Sequence, residues 1–297
     1  MKKPVTVSHA AIIALCASGC SSEKEPAIAL EDITVSGSSI TCTFDGVKHD
    51  MIVDLLEISD NAPLVVMLHG YGGSAESFRT DTAFHERANE EGFAVAYITG
   101  ACAPDDSSSS TGWNSYAEGE GNRDVEFLVA AAEYLQERYD LDREHTCAVG
   151  FSNGGFMAHR LAMEAGETFR AVVSVSGMMQ PEIWEKRNKT NNVSFFQITG
   201  EKDDVVPKYS DGTAKYTTAP AIEDVMEYWA ESDGLTLTGT CDVGKGSVLK
   251  KYTGGNSGRQ VWDLVIKDGR HSWDWNSSSL SGIDTTGLIL DFLKTQR

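Results

Sequence analysis

Basic charge is scarce in this sequence: 25 Lys and Arg stand against 44 Asp and Glu among 297 residues, a formal net charge of −19. A field of that sign repels phosphate backbones and anionic lipid surfaces, which argues against nucleic acid as a partner and against strongly acidic polymers as substrates. Long hydrophobic runs are missing as well, so beyond the N-terminus no stretch is built to cross a bilayer. No Cys-x-x-C pair occurs, which excludes zinc-ribbon and thioredoxin spacings, and nothing in the sequence implies a metal or an organic cofactor. There is no internal repeat, and the low-complexity patch is confined to Ser107–Ser110, read as a surface loop. What is present, 41% hydrophobic against 23% charged residues, is enough to bury one sizeable core, and a single domain over residues 30–297 is expected.

Residues 1–20 stand apart. Lys2 and Lys3 precede an apolar run from Ala10 to Ala17 that is too short for a bilayer and ends in small residues, the pattern of an export signal. Its end, Ala17-Ser18-Gly19-Cys20, resembles a bacterial lipobox with Ala17 where Leu is usual, so Cys20 is the expected lipidation site, with simple cleavage and release as the alternative. Residues 21–29 then form a polar tether, Ser21 to Pro26 lacking any aromatic residue. The chain is therefore expected to be exported, either held to the cell envelope through that lipid or secreted. Four cysteines remain, Cys42, Cys102, Cys147 and Cys241, which allow three pairings. One or two disulfides are expected in an exported chain, although Cys147 equally suits a buried thiol in a strand.

From Leu64 onward short apolar runs alternate with helical patterns, the signature of a parallel sheet covered by helices on both faces, an α/β doubly wound fold. The runs are 64–68, 94–98, 146–149, 171–175, 193–198 and 262–266, and their lack of strict alternation predicts strands buried on both faces. Residues 30–58 are expected to add antiparallel edge strands around a turn at Asp45-Gly46. Helices are predicted over 123–139, behind a candidate Asn122 cap, over 221–232, and over 285–294, behind a candidate Asp284 cap.

Gly150-Phe151-Ser152-Asn153-Gly154 is a G-x-S-x-G run placed between the strand at 146–149 and a helical stretch from Gly155. Alone the motif is weak. In that position it fits a sharp strand-to-helix turn that lifts a serine hydroxyl above the sheet, with glycines where the backbone must approach closely. A serine is a poor nucleophile until a base takes its proton, and the base needs a carboxylate to fix its tautomer. Of seven histidines only His271, in the turn Asp268-Gly269-Arg270-His271-Ser272-Trp273, lies downstream of both the serine and a suitable acid. His159, seven residues along the helix, would sit roughly 10 Å from Ser152. His69 reads as a loop organiser. The acid is expected in Gly200-Glu201-Lys202-Asp203-Asp204, at the carboxyl end of a strand, and spacing leaves Asp203 and Asp204 both open.

Acyl transfer places negative charge on a carbonyl oxygen, which two backbone N–H groups can hold. Tyr71, in His69-Gly70-Tyr71-Gly72-Gly73 after the first parallel strand, and Asn153, directly after the serine, are the expected donors. The glycine run lacks the Lys-Ser/Thr ending of a P-loop and the spacing of a dinucleotide fingerprint.

Together these pieces resemble the α/β-hydrolase esterases of carbohydrate-esterase family 1 type: feruloyl esterases, acetyl xylan esterases and polyhydroxybutyrate depolymerases. The similarity runs from about Ala62 onward. It rests on the segment Pro63 to Gly70, Gly112-Trp113-Asn114, Asp124 to Leu128, Gly150 to Gly155 and Val205-Val206-Pro207. The resemblance implies Asp203 as the acid, because the family's acid stands one residue before the Val-Val-Pro stretch. It also supports His271 through a Gly-x-His-x-Trp turn. The chain departs from the pattern at Thr199-Gly200 and at Asp274-Trp275, beside the site, where substrate preference is set. The implied activity is hydrolysis of a carboxylic ester, an acyl decoration on plant polysaccharide first and a polyester second. A peptidase of the same fold and a non-catalytic surface-binding lipoprotein are more distant readings. The former commonly carries a large extra domain, and the latter predicts a missing catalytic residue where none is missing. Trp113, Trp273 and Trp275 are candidate stacking surfaces for an aromatic acyl group or a sugar, with buried loop anchors as the alternative.

Overall fold

The computed structural model describes residues 29–55, 60–101, 110–116, 123–187, 193–208, 219–274 and 282–297. It begins with an antiparallel meander of β1 (Glu31–Ser36), β2 (Ser39–Phe44) and β3 (Val47–Asp54). The turn between the last two is Asp45-Gly46, both at positive φ (49° and 77°), the left-handed pair that a two-residue hairpin demands. There follow β4 (Pro63–Leu68), α1 (Ala75–Thr82), α2 (Phe84–Glu90), β5 (Ala94–Ile98), α3 (Asp124–Tyr139), β6 (Asp142–Phe151), α4 (Asn153–Glu164) and β7 (Ala171–Val175). The chain continues with α5 (Pro181–Glu185), β8 (Ser194–Gly200), α6 (Ile222–Ser232), the hairpin β9 (Thr236–Gly244) and β10 (Ser247–Thr253), β11 (Val261–Ile266) and α7 (Thr285–Lys294).

These strands form one eleven-stranded sheet in the order β1-β2-β3-β5-β4-β6-β7-β8-β11-β10-β9. The six central strands, β5 through β11 in that order, are parallel, and an antiparallel flank lies at each end. Along β4 the pleat sends Leu64, Val66 and Leu68 to one face, where they join Leu128 of α3, Met157 of α4 and Trp229 of α6. Val65 and Met67 go to the other, with Phe78 of α1, Phe84 of α2 and Phe292 of α7. Both faces are dry, which is why the central strands read as continuous apolar runs.

The predicted elements are present, with α4 starting at Asn153 rather than Gly155. Asp284 caps α7, accepting from the Gly287 amide at 2.9 Å, and also pairs with Arg87 of α2 at 2.6 Å. Asn122 lies outside the described residues, and the residue at the cap of α3 is Arg123, whose side chain makes no capping bond. The hairpin β9–β10 was not expected from the sequence. Every residue of β9 is exposed or half-buried, so no apolar run marks it. Helices α1, α2 and α5 were also not expected, and at eight, seven and five residues they are too short to display a helical period.

The expected disulfides are corrected for Cys42 and Cys241, and Cys147 is the buried strand thiol given as the alternative. Cys42 and Cys147 are buried free thiols, and Cys241 is a free thiol at the exposed sheet edge. Burial pushes the Cys147 thiol up to about 12 and that of Cys42 up to about 11, so both behave as small apolar groups. Cys20 and Cys102 lie outside the described residues, as does the predicted signal and tether up to residue 28. Among the described residues no helix is long and apolar enough to cross a membrane.

Candidate active site

Strand β6 ends at Phe151 and helix α4 begins at Asn153, which leaves Ser152 alone to make the turn at φ 51° and ψ −116°. A non-glycine residue in such a conformation costs about 1–3 kcal/mol and persists only where its neighbours hold it. The hold is visible on both sides of the serine. Its amide donates to the Val175 carbonyl of β7 at 2.9 Å, extending the parallel ladder by one residue. A Cβ on Gly150 would lie 2.0 Å from the Gly154 carbonyl oxygen, and one on Gly154 would lie 2.1 Å from the Leu68 oxygen, so both glycines of the motif are sterically required.

The serine hydroxyl meets His271, Oγ to Nε2 at 2.9 Å, and the other ring nitrogen, Nδ1, meets Asp203 Oδ2 at 2.9 Å. With Nδ1–H donating to the carboxylate, Nε2 is left as the acceptor that faces the serine. Asp203 is fully occupied: its Oδ1 accepts from the Val205 and Val206 amides at 2.9 and 2.8 Å, and its side chain is shut off from solvent. Asp204, the alternative, points away into solvent and stands 3.6 Å from Arg270. The loops that carry the acid and the histidine are stitched together by backbone bonds, Lys202 N–H to Gly269 O at 2.7 Å and Glu201 N–H to Ile266 O at 2.9 Å. Exposed pairs Lys202–Asp268 and Lys267–Glu201 span the same seam. They join residues more than sixty positions apart, so nothing local in the sequence announces them.

Facing the serine, the loop after β4 is organised by His69, which is buried and held neutral because burial pushes its pKa down. Its Nδ1–H donates to Gly70 O at 2.6 Å and its Nε2 accepts from the Gly100 amide at 2.9 Å. Asn153 is the first residue of α4, where a backbone N–H has no carbonyl of its own helix to bond. Tyr71 lies across Gly112 from it and is 61% exposed. Asp124, in the segment Asp124 to Leu128 that helped carry the resemblance, belongs to the support of this region: its Oδ2 accepts from the Asn114 amide at 2.6 Å, and burial pushes its carboxyl up to about 6.

Two of the three tryptophans singled out as stacking surfaces are corrected. Trp113 is 4% exposed and donates its indole N–H to His69 O at 3.0 Å. Trp273 is 9% exposed and is enclosed edge-on by Phe78, Phe84 and Phe151. A stacking platform needs an open ring face, so both are loop anchors. Trp275 lies outside the described residues. Among the described residues no group of three His, Cys, Asp or Glu side chains is arranged to hold a metal ion.

His159, the rival base, is buried in the core and bonds Gln197 Oε1 at 3.1 Å, away from the serine. Burial pushes its pKa down to about 3. Because the unfolded chain binds a proton near pH 6.5 that the folded chain refuses until about pH 3, this residue stabilises the fold above pH 6.5 and loses that contribution as pH falls. The slope is about 1.4 kcal/mol per pH unit. His159→Leu is therefore expected to flatten the fall in urea midpoint between pH 6.5 and 4.5. An unchanged slope would show that the acid sensitivity lies elsewhere.

Comparison with known proteins places these features in context. The model described as the prolyl oligopeptidase family matches residues 78–243, more than half of the chain. NocK of Nocardia uniformis subsp. tsuyamanensis, named as an esterase, is 29% identical over 239 residues, covering 73% of this chain and 67% of NocK. Feruloyl esterase B of Thermothelomyces thermophilus is 28% identical over 127 residues, 41% of each chain. The chain thus spans about two thirds of the one relative and two fifths of the other. The solved structure of an acetyl xylan esterase from Aspergillus awamori superposes with a TM-score of 0.62 at 13% identity, covering 83% of this chain and 94% of that one. At that identity the likeness speaks to the fold, which is that of the α/β-hydrolases.

Proposed function

The chain belongs to the prolyl oligopeptidase family, and from that premise we propose that it is a serine hydrolase of carboxylic esters working through an acyl-enzyme. The observation that carries the reading is the unbroken chain Ser152 Oγ, His271 Nε2, His271 Nδ1 and Asp203 Oδ2, with both contacts at 2.9 Å. Ser152 Oγ attacks the ester carbonyl as His271 Nε2 takes its proton, and Asp203 stabilises the imidazolium that forms. The tetrahedral oxyanion is held by the Tyr71 and Asn153 amides. Protonated His271 then gives its proton to the leaving alkoxide. Water, activated by the same histidine, attacks the acyl-serine and regenerates the hydroxyl.

For the substrate we propose an acyl group esterified to a plant polysaccharide, with a polyester as the alternative. Support comes from the names of the feruloyl and acetylxylan esterase relatives and from the strongly negative charge, which favours neutral esters. Among the described residues the exposed aromatic residues are Tyr71 and, three residues beyond Trp113, Tyr116, 61% and 51% exposed. We assign to them the ring-binding role first given to the tryptophans. Export, with a lipid at Cys20 tethering the enzyme to the envelope, completes the proposal and rests on residues 1–29. The family's name favours one second reading, cleavage of peptide bonds after proline.

The test is turnover of p-nitrophenyl acetate, methyl ferulate, acetylated xylan, polyhydroxybutyrate and a prolyl p-nitroanilide by the purified protein. Ester turnover with an inert anilide is expected. Faster cleavage of the anilide than of any ester would replace the esterase reading with a peptidase.

A further inference from the structure

The two amides assigned to the oxyanion come from loops 82 residues apart in the chain, one after β4 and one at the start of α4. Both must reach one oxygen at about 2.7–3.1 Å, and a misplacement of about 1 Å can cost on the order of a hundredfold in rate. Something must set the gap between them.

We propose that the Asn153 side chain is a positioning group that sets this gap, by fastening the segment Thr111–Trp113 as a bridge between the two loops. The proposal rests on the esterase reading above. On one side, the Asn153 carboxamide grips both backbone groups of Trp113: Oδ1 accepts from its N–H at 2.6 Å and Nδ2 donates to its carbonyl at 3.1 Å. On the other side, the same segment grips the loop after β4. The Gly72 amide donates to Thr111 O at 2.7 Å, the Thr111 hydroxyl donates to Gly73 O, and the Trp113 indole donates to His69 O at 3.0 Å.

The two donor residues almost meet across the middle of this bridge. A Cβ placed on Gly112 would fall 3.1 Å from Asn153 Oδ1 and 3.3 Å from the Tyr71 ring, so the Gly112 backbone is the spacer between them. Its back is closed as well, because a Cβ on Gly100 would lie 2.3 Å from the Gly112 oxygen. One residue thus acts twice: the Asn153 amide faces the oxyanion, and its side chain fixes where the opposite donor stands. An oxyanion exists only once the carbonyl has been attacked, so loosening the bridge weakens transition-state binding and leaves substrate binding nearly intact.

The experiment uses the full chain with Asn153→Ala, which keeps the backbone amide and removes both bonds to Trp113. Thr111→Val is the second variant, loosening the bridge from its other end. For Asn153→Ala on p-nitrophenyl acetate, kcat per folded molecule is expected to fall about 10- to 100-fold with KM within about threefold. Affinity for a boronic acid, which forms a tetrahedral adduct on Ser152, is expected to fall in step. Thr111→Val is expected to show the same split at smaller size. If Asn153→Ala keeps kcat within twofold of an active wild type, or if KM and boronate binding do not separate as stated, the bridge has no positioning role. A wild-type protein that hydrolyses no ester overturns the esterase reading and this inference with it, so the two failures are told apart.

Discussion

Replacing Ser152 with alanine is expected to lower kcat by about 10⁵–10⁶-fold on whichever ester the protein turns over, with KM little changed. The size follows from the proposed mechanism, in which Ser152 Oγ bonds to the acyl carbon and His271, 2.9 Å away, takes its proton. What survives is the contribution of the oxyanion donors and of binding, which is worth orders of magnitude less than the assembled unit. His271→Ala is expected to match the serine variant closely, because residues that act as a unit do not lose rate additively. The measurement is steady-state hydrolysis beside labelling by a fluorophosphonate, which requires the same activated hydroxyl. Residual turnover above about one part in 10³, in a protein that no longer takes the label, would mean that a different residue carries the chemistry.

Asp203→Asn is the second large effect, with an expected fall in kcat of about 10⁴-fold. The amide is nearly isosteric and can still accept from the Val205 and Val206 amides through its oxygen. Its NH₂ then faces His271 Nδ1 and selects the tautomer with the proton on Nε2, so the nitrogen facing Ser152 can no longer accept. The comparison that makes the test sharp is Asp204→Asn. Asp204 is one residue away and 72% exposed in its side chain, 3.6 Å from Arg270, in a pair of the kind that contributes about 0–1 kcal/mol. Its loss is expected to leave kcat within about twofold. Equal losses from the two variants would show that the loop, and not the Asp203 carboxylate, is what matters.

Part of the architecture was legible because it is written in short stretches of chain. The apolar runs 64–68, 94–98 and 171–175 announce strands with both faces covered, and the pleat of β4 divides its side chains between two cores as those runs require. The Ser152 turn was legible for the same reason: strand, glycine, serine, glycine and helix are all neighbours in sequence, and the steric demand for Gly150 and Gly154 falls on the backbone within that turn and on β4 beside it. The edge hairpin β9–β10 was not, because an exposed strand has no need of an apolar run and is specified by its partner alone.

By itself, then, the sequence determined the parallel sheet and the strand-to-helix turn that carries Ser152. These depend on local conformation and on which residues prefer to leave water. The tertiary structure decided what depends on the distance between remote segments. It brought Asp203 rather than Asp204 to His271, and turned Trp113 and Trp273 inward. It left Cys42 and Cys147 unpaired, and closed the Asn153 carboxamide on the Trp113 backbone 40 residues away. Each of these is a choice between side chains of equal chemistry, and burial and hydrogen bonding distinguish them only after the chain has folded.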